Sequence, residues 1–415
     1  MELNEHNEFA WLTSQEAAEH LKIATRLFEK KLNPLKTAKL LRKTIPPAQA
    51  AMVMEQAQLR IRARRKFEHA DAMFFTGRSL EQSTSSLIAT YKAKRFAKAQ
   101  SVADVCCGIG GDLISLALRN DAEDFETVGV ERDPVPACFA AANLLATDCK
   151  NARIEEASFE DFDMTSFDAV HFDPDRRVKG RTTTGGFFEP SLQSIFDRLS
   201  LDRQMVAIKV APATEIESPG FPVQREWIGG WRECKQQVLW AGPDVTESSR
   251  VATIVAKDGA YCHFRFSDSE PMPEKCKMAE TIGPYIYEPH ASVLAAGLGE
   301  TIAGKYSLEY LSRGIAYMNS DRVLDDAEPI LKGYRVDAVL PVDLKQIQKK
   351  LKSMNVGQLV IKKRGVDQVL ADKVSRLKLD GSEKATIVLT RHNKSRRAIL
   401  VTRLVGLEAT SETAR

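Results

Sequence analysis

Between residues 15 and 66, apolar side chains recur three and four positions apart: Ala17, Leu21, Ala24, Leu27 and Phe28, then Ala38, Leu40 and Leu41. That period predicts amphipathic helices, with Ser14 placed to cap the first. The basic run Arg60-Ile-Arg-Ala-Arg-Arg-Lys66 is expected on a solvated helix face. A polar loop, Met73 to Thr84, leads into a helix over Leu87–Phe96. After that the pattern changes. Short apolar runs at Val102–Cys106, Thr127–Val130, Ala152–Glu155, Phe167–Phe172 and Gln204–Val210 read as strands, and helical segments at Leu113–Leu118, Pro136–Leu145 and 191–199 separate them. Strands alternating with helices at this spacing predict an α/β fold with a doubly wound, mainly parallel sheet. Gln237–Trp240 and Arg250–Ala256 follow without a long helix between them, as a hairpin closing the sheet would. Tyr261–Phe266 opens a Pro-rich region before a helix near 291–303. The chain then alternates helix at Leu344–Met354, strand at Gln358–Lys363, helix at Gln368–Leu377 and strands at Lys384–Thr390 and Arg397–Arg403.

The chain has 415 residues, 43% hydrophobic and 28% charged, which predicts two to four globular domains and excludes disordered, collagenous and disulfide-stapled classes. No apolar window is long enough for a membrane span, and the start lacks a signal peptide's pattern, so a cytoplasmic protein is expected. Seven Cys without a C-x-x-C pair suit reduced thiols, with neither disulfides nor a metal site. The net charge of +3 conceals an asymmetry. Residues 341–404 hold ten Lys and six Arg against five acids, +11, which leaves the rest of the chain at −8. Such a segment is the footprint of a polyanion-binding module, or else a solvated basic surface.

Candidate chemistry gathers at two strand ends. Asp104-Val-Cys-Cys-Gly-Ile-Gly-Gly-Asp112 joins a strand to a helix, so Gly108, Gly110 and Gly111 let the backbone approach a ligand at a helix N-terminus. Glu131, followed by Arg132, ends the next strand, where a carboxylate can take both ribose hydroxyls. Asp104 and Asp112 would repel a pyrophosphate but suit a ligand carrying an ammonium group. At the end of the fourth strand, Asp173-Pro174-Asp175-Arg176-Arg177 continues to Lys179 and Arg181, cations suited to a phosphate-bearing substrate. Phe187 nearby is a candidate to stack a base. After the fifth strand, Lys209-Val-Ala-Pro-Ala-Thr214 has Val210 where a Cys nucleophile would stand, which disfavours covalent attack at pyrimidine C5.

The glycine stretch resembles motif I of the class I methyltransferases, D-x-G-x-G-x-G, with Cys106 in place of the first glycine. Asp173-Pro-Asp-Arg176 is similar to their fourth-strand motif (D/N/S)-P-P-(Y/F/W/R), with Asp175 at the second proline. Together with Phe74-Phe-Thr-Gly-Arg-Ser-Leu-Glu-Gln82, Tyr287-Glu-Pro-His-Ala-Ser-Val-Leu-Ala-Ala-Gly297 and Leu359-Val-Ile-Lys-Lys-Arg-Gly365, these stretches resemble bacterial class I S-adenosylmethionine-dependent methyltransferases with a C-terminal THUMP-like domain. The resemblance covers about residues 70–404. It implies an N-terminal helical region (1–98), a Rossmann-like methyltransferase domain (99–267), a ferredoxin-like middle domain (268–338) and a basic THUMP-like domain (339–406). It also implies S-adenosyl-L-methionine as cofactor, held by the glycine turn and Glu131, with Ser158 and Asp161 in the region that usually holds the adenine amine. The segment before the core resembles that of cap trimethylguanosine synthases, which makes Thr76 and Gln82 cofactor candidates. Asp173, Pro174 and Asp175 are the catalytic candidates. Arg176, Arg177, Lys179, Arg181 and Phe187, with Lys362, Lys363 and Arg364 of the basic end, are the substrate candidates. Structured RNA, tRNA or rRNA, is the expected substrate. The competing expectations are methylation of a small molecule or protein, and a cofactor- or RNA-binding protein without turnover.

Overall fold

The structure is a computed structural model that describes residues 9–119, 125–175, 188–231 and 233–404, with the backbone alone of 177–178 and 181–182. It divides into two compact units. The first comprises Met1–Arg225, Gln236–Ser248 and Val255–Ala260, and the second Glu226–Lys235, Ser249–Ile254 and Tyr261–Arg415.

The first unit opens with helices α1 (Gln15–Glu29), α2 (Pro34–Leu41) and α3 (Pro47–Ala63). Their apolar stripes bury Leu21, Ala24, Leu41, Val53 and Ala57 in one core with Phe67 and Phe75. The basic run is corrected at its first residue. Arg60 is buried, its Nε donates to the Met73 carbonyl at 2.8 Å, and its guanidinium stacks over Phe74. A buried guanidinium persists there because the carbonyls it meets belong to an irregular segment that needs donors.

Two short helices follow, α4 (Gly77–Gln82) and α5 (Ser86–Ala93). The α/β core is β1 (Ser101–Val105), α6 (Gly111–Ala117), β2 (Glu126–Glu131), α7 (Pro134–Ala146), β3 (Ala152–Glu156), β4 (Ala169–Phe172), α8 (Leu192–Phe196) and β5 (Met205–Val210). The parallel strands run in the order β5-β4-β1-β2-β3. β1, β4 and β5 are almost wholly buried, as strands covered on both faces must be, whereas the edge strand β3 is half-exposed. Strand order reverses between β1 and β4, which opens a crevice at their carboxyl ends.

Gly129 in β2 shows how tightly this core closes. A Cβ there would lie 2.5 Å from Leu113 Cδ2 and 2.8 Å from Ile154 Cδ1. Gly129→Ala is therefore expected to lower unfolding stability by about 1–3 kcal/mol, read from the denaturant midpoint at unchanged slope. An unchanged midpoint would mean that the neighbours yield freely.

Strand β6 (Gln224–Gly229) precedes β7 (Cys234–Ala241), which runs antiparallel to β5 and extends the first unit's sheet, and β8 (Ser249–Val255) and β9 (Tyr261–Ser267) follow. The second unit contains most of β6, β8 and β9, in the order β9-β8-β6. It continues with β10 (Tyr285–Pro289), α9 (Ala291–Ala295), α10 (Gly299–Tyr306), β11 (Glu309–Ser312), β12 (Ile315–Ser320) and β13 (Leu331–Pro341). α11 (Leu344–Ser353), β14 (Val356–Lys363), α12 (Gln368–Ser375), β15 (Glu383–His392) and β16 (Ser395–Arg403) complete it. Seven strands form one sheet in the order β11-β12-β10-β13-β16-β15-β14.

Two expected boundaries move. The division at 338/339 falls inside β13, which pairs with β10 on one side and β16 on the other and so merges the middle and basic parts into one sheet. The division at 267/268 is displaced because β6, β8 and β9 cluster with the second unit. Among the described residues, no helix is long and apolar enough to cross a membrane.

Candidate active site

A cleft opens in the first unit at the carboxyl ends of β1 and β4. Its lining includes Thr76, Gln82, Asp104, Cys106, Gly108, Gly111, Glu131, Arg132, Asp173, Pro174 and Asp175. The segment before it, residues 72–75, is tied down by buried polar side chains. Asn143 takes the Phe74 N–H on Oδ1 at 2.7 Å and donates to the carbonyls of Phe74 and Ile109, while Gln56 exchanges hydrogen bonds with the Phe75 backbone. Thr76 then caps α4, accepting from Ser79 N at 3.0 Å in a reciprocal box, and Lys66 donates to the carbonyls of Leu80 and Glu81 at its far end. These ties hold Thr76 and Gln82 on the cleft wall.

The turn after β1 holds Cys106 at φ +61°, Gly108 at +56° and Gly110 at +84°. Cys106 therefore adopts the left-handed conformation that favours glycine, at the position where the motif usually has one. Burial pushes the thiols of Cys106 and Cys107 well above the ordinary cysteine range, so neither is a ready nucleophile.

Three observations bear on the cofactor that the motif implies. A Cβ on Gly108 would meet nothing within 4 Å, so the backbone there faces open space. Asp104 Oδ2 is buried without a hydrogen-bond partner among the described residues, an acceptor that a ligand ammonium would satisfy. Glu131 takes Gly108 N on Oε2 and Asp133 N on Oε1, each at 2.9 Å, which fixes its plane and leaves one lone pair per oxygen for two hydroxyls. Burial pushes its carboxyl above the ordinary range, and those amides oppose the shift. The residues fit S-adenosylmethionine.

Beneath the turn runs a buried chain of polar groups. Asp104 Oδ1 accepts from His171 Nδ1 at 2.7 Å, and Lys92 Nζ lies 3.0 Å from His171 Nε2 and 2.8 Å from Asp112 Oδ1. Thr84 Oγ1 donates to Asp112 Oδ2 at 2.6 Å. An ammonium only donates, so Nε2 must accept from Lys92, and Nδ1 carries the proton given to Asp104. Burial alone would push Asp112 up, but the Lys92 ammonium, with Lys209 behind it, holds its carboxyl far below the usual range. Asp104 differs: burial outweighs His171 and Lys92, and its carboxyl sits above that range. Asp112 is thus a structural anchor for α6, held by the Lys92 ammonium, whereas Asp104 Oδ2 has neither a hydrogen bond nor an ion pair among the described residues.

At the end of β4, Asp173 N donates to the Val105 carbonyl at 3.2 Å, and Asp173 Oδ2 pairs with Lys209 of β5, which also donates to the Gln82 carbonyl. Asp175 pairs with Arg78, and its backbone exchanges two hydrogen bonds with Glu189. Arg132 donates to Glu189 Oε1 at 2.9 Å, so it braces the rim.

Other candidates stand elsewhere. Ser158 and Asp161 hydrogen-bond to each other at 2.7 Å in an exposed turn and do not line the cleft. Their neighbours Ala157, Phe159 and Glu160 do, because the turn after β3 points its other side inward. Arg176, Lys179 and Phe187 lie outside the described residues, as do the side chains of Arg177 and Arg181. Lys362 and Arg364 both pair with Glu288 in the second unit, and Lys363 is exposed. The first two therefore share one carboxylate, which offsets one of their two charges. Lys92, His171 and Lys209 escaped the sequence reading. Their signal was a lone ionisable residue in an otherwise apolar element, as in Ala-Val-His-Phe and Ala-Ile-Lys-Val. Among the described residues no cluster of His, Cys, Asp and Glu could hold a metal.

Comparison with known proteins agrees with this geometry. A family model described as THUMP domain-like matches residues 331–403, and one described as a domain of unknown function matches residues 5–63. The chain is 28% identical over 330 residues to proteins of two Mycobacterium tuberculosis strains, H37Rv and CDC 1551. Each is named an uncharacterized S-adenosylmethionine-dependent methyltransferase, and the match spans 76% of this chain and 84% of theirs. A crystal structure of a Porphyromonas gingivalis W83 protein, named as a methyltransferase, shares the fold with TM-score 0.75 and 21% identity. It covers 93% of this chain and 98% of its own. Fold and site thus define a Rossmann-like class I methyltransferase core. The chain is similar to S-adenosylmethionine-dependent methyltransferases and carries a THUMP-like segment at residues 331–403.

Proposed function

We propose that this methyltransferase transfers the methyl group of S-adenosylmethionine to a nitrogen or oxygen of structured RNA, tRNA or rRNA, in the cytoplasm. The observation that carries the reading is the pairing of the glycine-turn cleft with a basic THUMP-like segment in one chain. RNA is the polyanion that a +11 segment on a methyltransferase would present to its site.

When bound, the cofactor supplies an electrophilic methyl group. Glu131 would hold the ribose hydroxyls, Asp104 Oδ2 the ammonium, and the turn at Gly108 the methionine chain. Thr76 and Gln82 close the wall beside it. Asp173 is the group that receives the acceptor's proton or orients its lone pair, held in place by Lys209 and by its own N–H to Val105. Pro174 sets the chain direction after it. Asp175 and Arg78 form a clamp across the rim, so Asp175 positions α4 against the fourth-strand loop. With burial raising both adjacent thiols, covalent catalysis through Cys106 or Cys107 is disfavoured.

The test is transfer of labelled methyl groups to total RNA from cells lacking the gene, with a protein pool in parallel. Nuclease-sensitive label on RNA alone is the expected result. Label on the protein pool or on small molecules, with RNA unlabelled, would overturn the RNA reading.

A further inference from the structure

One exposed aromatic lies among cations in the second unit. Trp231, just after β6, is 42% exposed, and two cations share its ring: Lys332 Nζ lies 5.0 Å from the ring centroid and Arg403 Cζ 5.2 Å. Their strands place them together. Lys332 pairs across β13/β10 with Glu288, and Arg403 pairs across β16/β13 with Tyr334, two residues beyond Lys332. All four residues therefore share one face of the seven-stranded sheet.

That face carries more positive than negative charge. Glu288 is engaged by Lys362 and Arg364, and Glu328 lies 3.6 Å from Arg403. Lys332 makes no ion pair among the described residues, and burial, then Arg403 and Lys362, pulls its ammonium below the usual lysine range. Four cations thus face two committed carboxylates beside a half-open indole. Among the described residues, Glu288 is taken by Lys362 and Arg364 and Glu328 by Arg403, which leaves Lys332 without an ion pair and Arg403 with a single, long one. An outside anion with an aromatic group attached would meet both needs, and a nucleotide is such a group: the base has a face for the indole, and the phosphate can bridge Lys332 and Arg403.

We propose that Trp231, Lys332 and Arg403 form a platform for a single-stranded stretch of RNA, one base stacking on the indole and the adjoining phosphates lying on the two cations. The assignment rests on the RNA reading above. It places RNA contact on residues outside the Lys362–Arg364 run, two of whose cations are held by Glu288. Stacking is tolerant of base identity, so the platform would hold a strand without reading its sequence.

The test is binding of the full chain to a mixed-sequence single-stranded RNA and to the same sequence as DNA, by indole fluorescence and filter retention, with RNA methylation measured alongside. Trp231→Ala is expected to weaken RNA binding about tenfold, and Trp231→Phe to restore most of it. Lys332→Gln is expected to shallow the dependence of log affinity on log salt by about 0.7. An unshifted thermal midpoint checks that each variant folds. Wild-type affinity in Trp231→Ala and Lys332→Gln, with RNA methylation intact, would overturn the platform and leave the RNA reading standing. Tighter binding of the DNA would overturn the assignment to RNA. Failure of the wild type both to bind and to methylate RNA would instead overturn the RNA reading, and the platform with it.

Discussion

Asp173→Ala abolishes methyl transfer, by an expected factor of 10² to 10⁴, while cofactor affinity changes less than threefold. Asp173 lies on the cleft wall at the end of β4, whereas the cofactor contacts proposed above come from the glycine turn, Glu131 and Asp104. The measurements are single-turnover transfer with saturating cofactor and calorimetric titration of the cofactor alone. Alanine also strands the buried Lys209 ammonium, so a drop in thermal midpoint accompanies the loss. Asp173→Asn separates the two roles that a carboxylate can play here. It keeps the size of the side chain and an oxygen able to accept a hydrogen bond, but it cannot take up a proton. A fall as deep as that of alanine identifies proton acceptance, and retention of most of the rate identifies orientation. Full transfer by the alanine variant would remove Asp173 from the mechanism.

Lys92→Met is expected to destabilise the first unit by about 3–5 kcal/mol, the usual cost of deleting one partner from a buried ion pair. The ammonium is 1% exposed and serves both His171 and Asp112. Without it, Asp104 and Asp112 remain as buried carboxyls with no cation between them. The pH dependence should change sign as well. In the wild type, Asp112 is held below its unfolded value despite burial, mainly by Lys92. A depressed carboxyl contributes stability above the unfolded value of about 3.9 and loses it as pH falls through the lower folded value. In the variant, burial dominates and the folded carboxyl rises, so stability falls as pH increases from about 4 toward neutrality. Denaturant melts across that range read both effects. Adding Asp112→Asn to Lys92→Met should recover a large share of the loss, since the pair acts as a unit. A Lys92→Met variant as stable as wild type at neutral pH would show that water reaches the chain.

Much of this protein was legible in local pattern. Strands β1, β2, β4 and β5 announce themselves because a strand buried on both faces must be mostly apolar, and glycines at 108 and 110 mark where the backbone takes positive φ. Glu131 could be placed because an acid ending the strand after a glycine turn has only one crevice to face. Such features depend on neighbours in sequence, so composition and spacing suffice. What only the tertiary structure decided depends on partners far along the chain. Arg60 reads as a solvated cation until the Met73 carbonyl, thirteen residues on, is brought to it. Asp112 reads as a ligand group until Lys92 takes it. Lys362 and Arg364 read as two free cations until Glu288, more than seventy residues earlier, pairs with both and offsets one of their two charges. The charge of a side chain is written in the sequence, but whether that charge remains available is set by which opposite charge the fold places within about 4 Å of it.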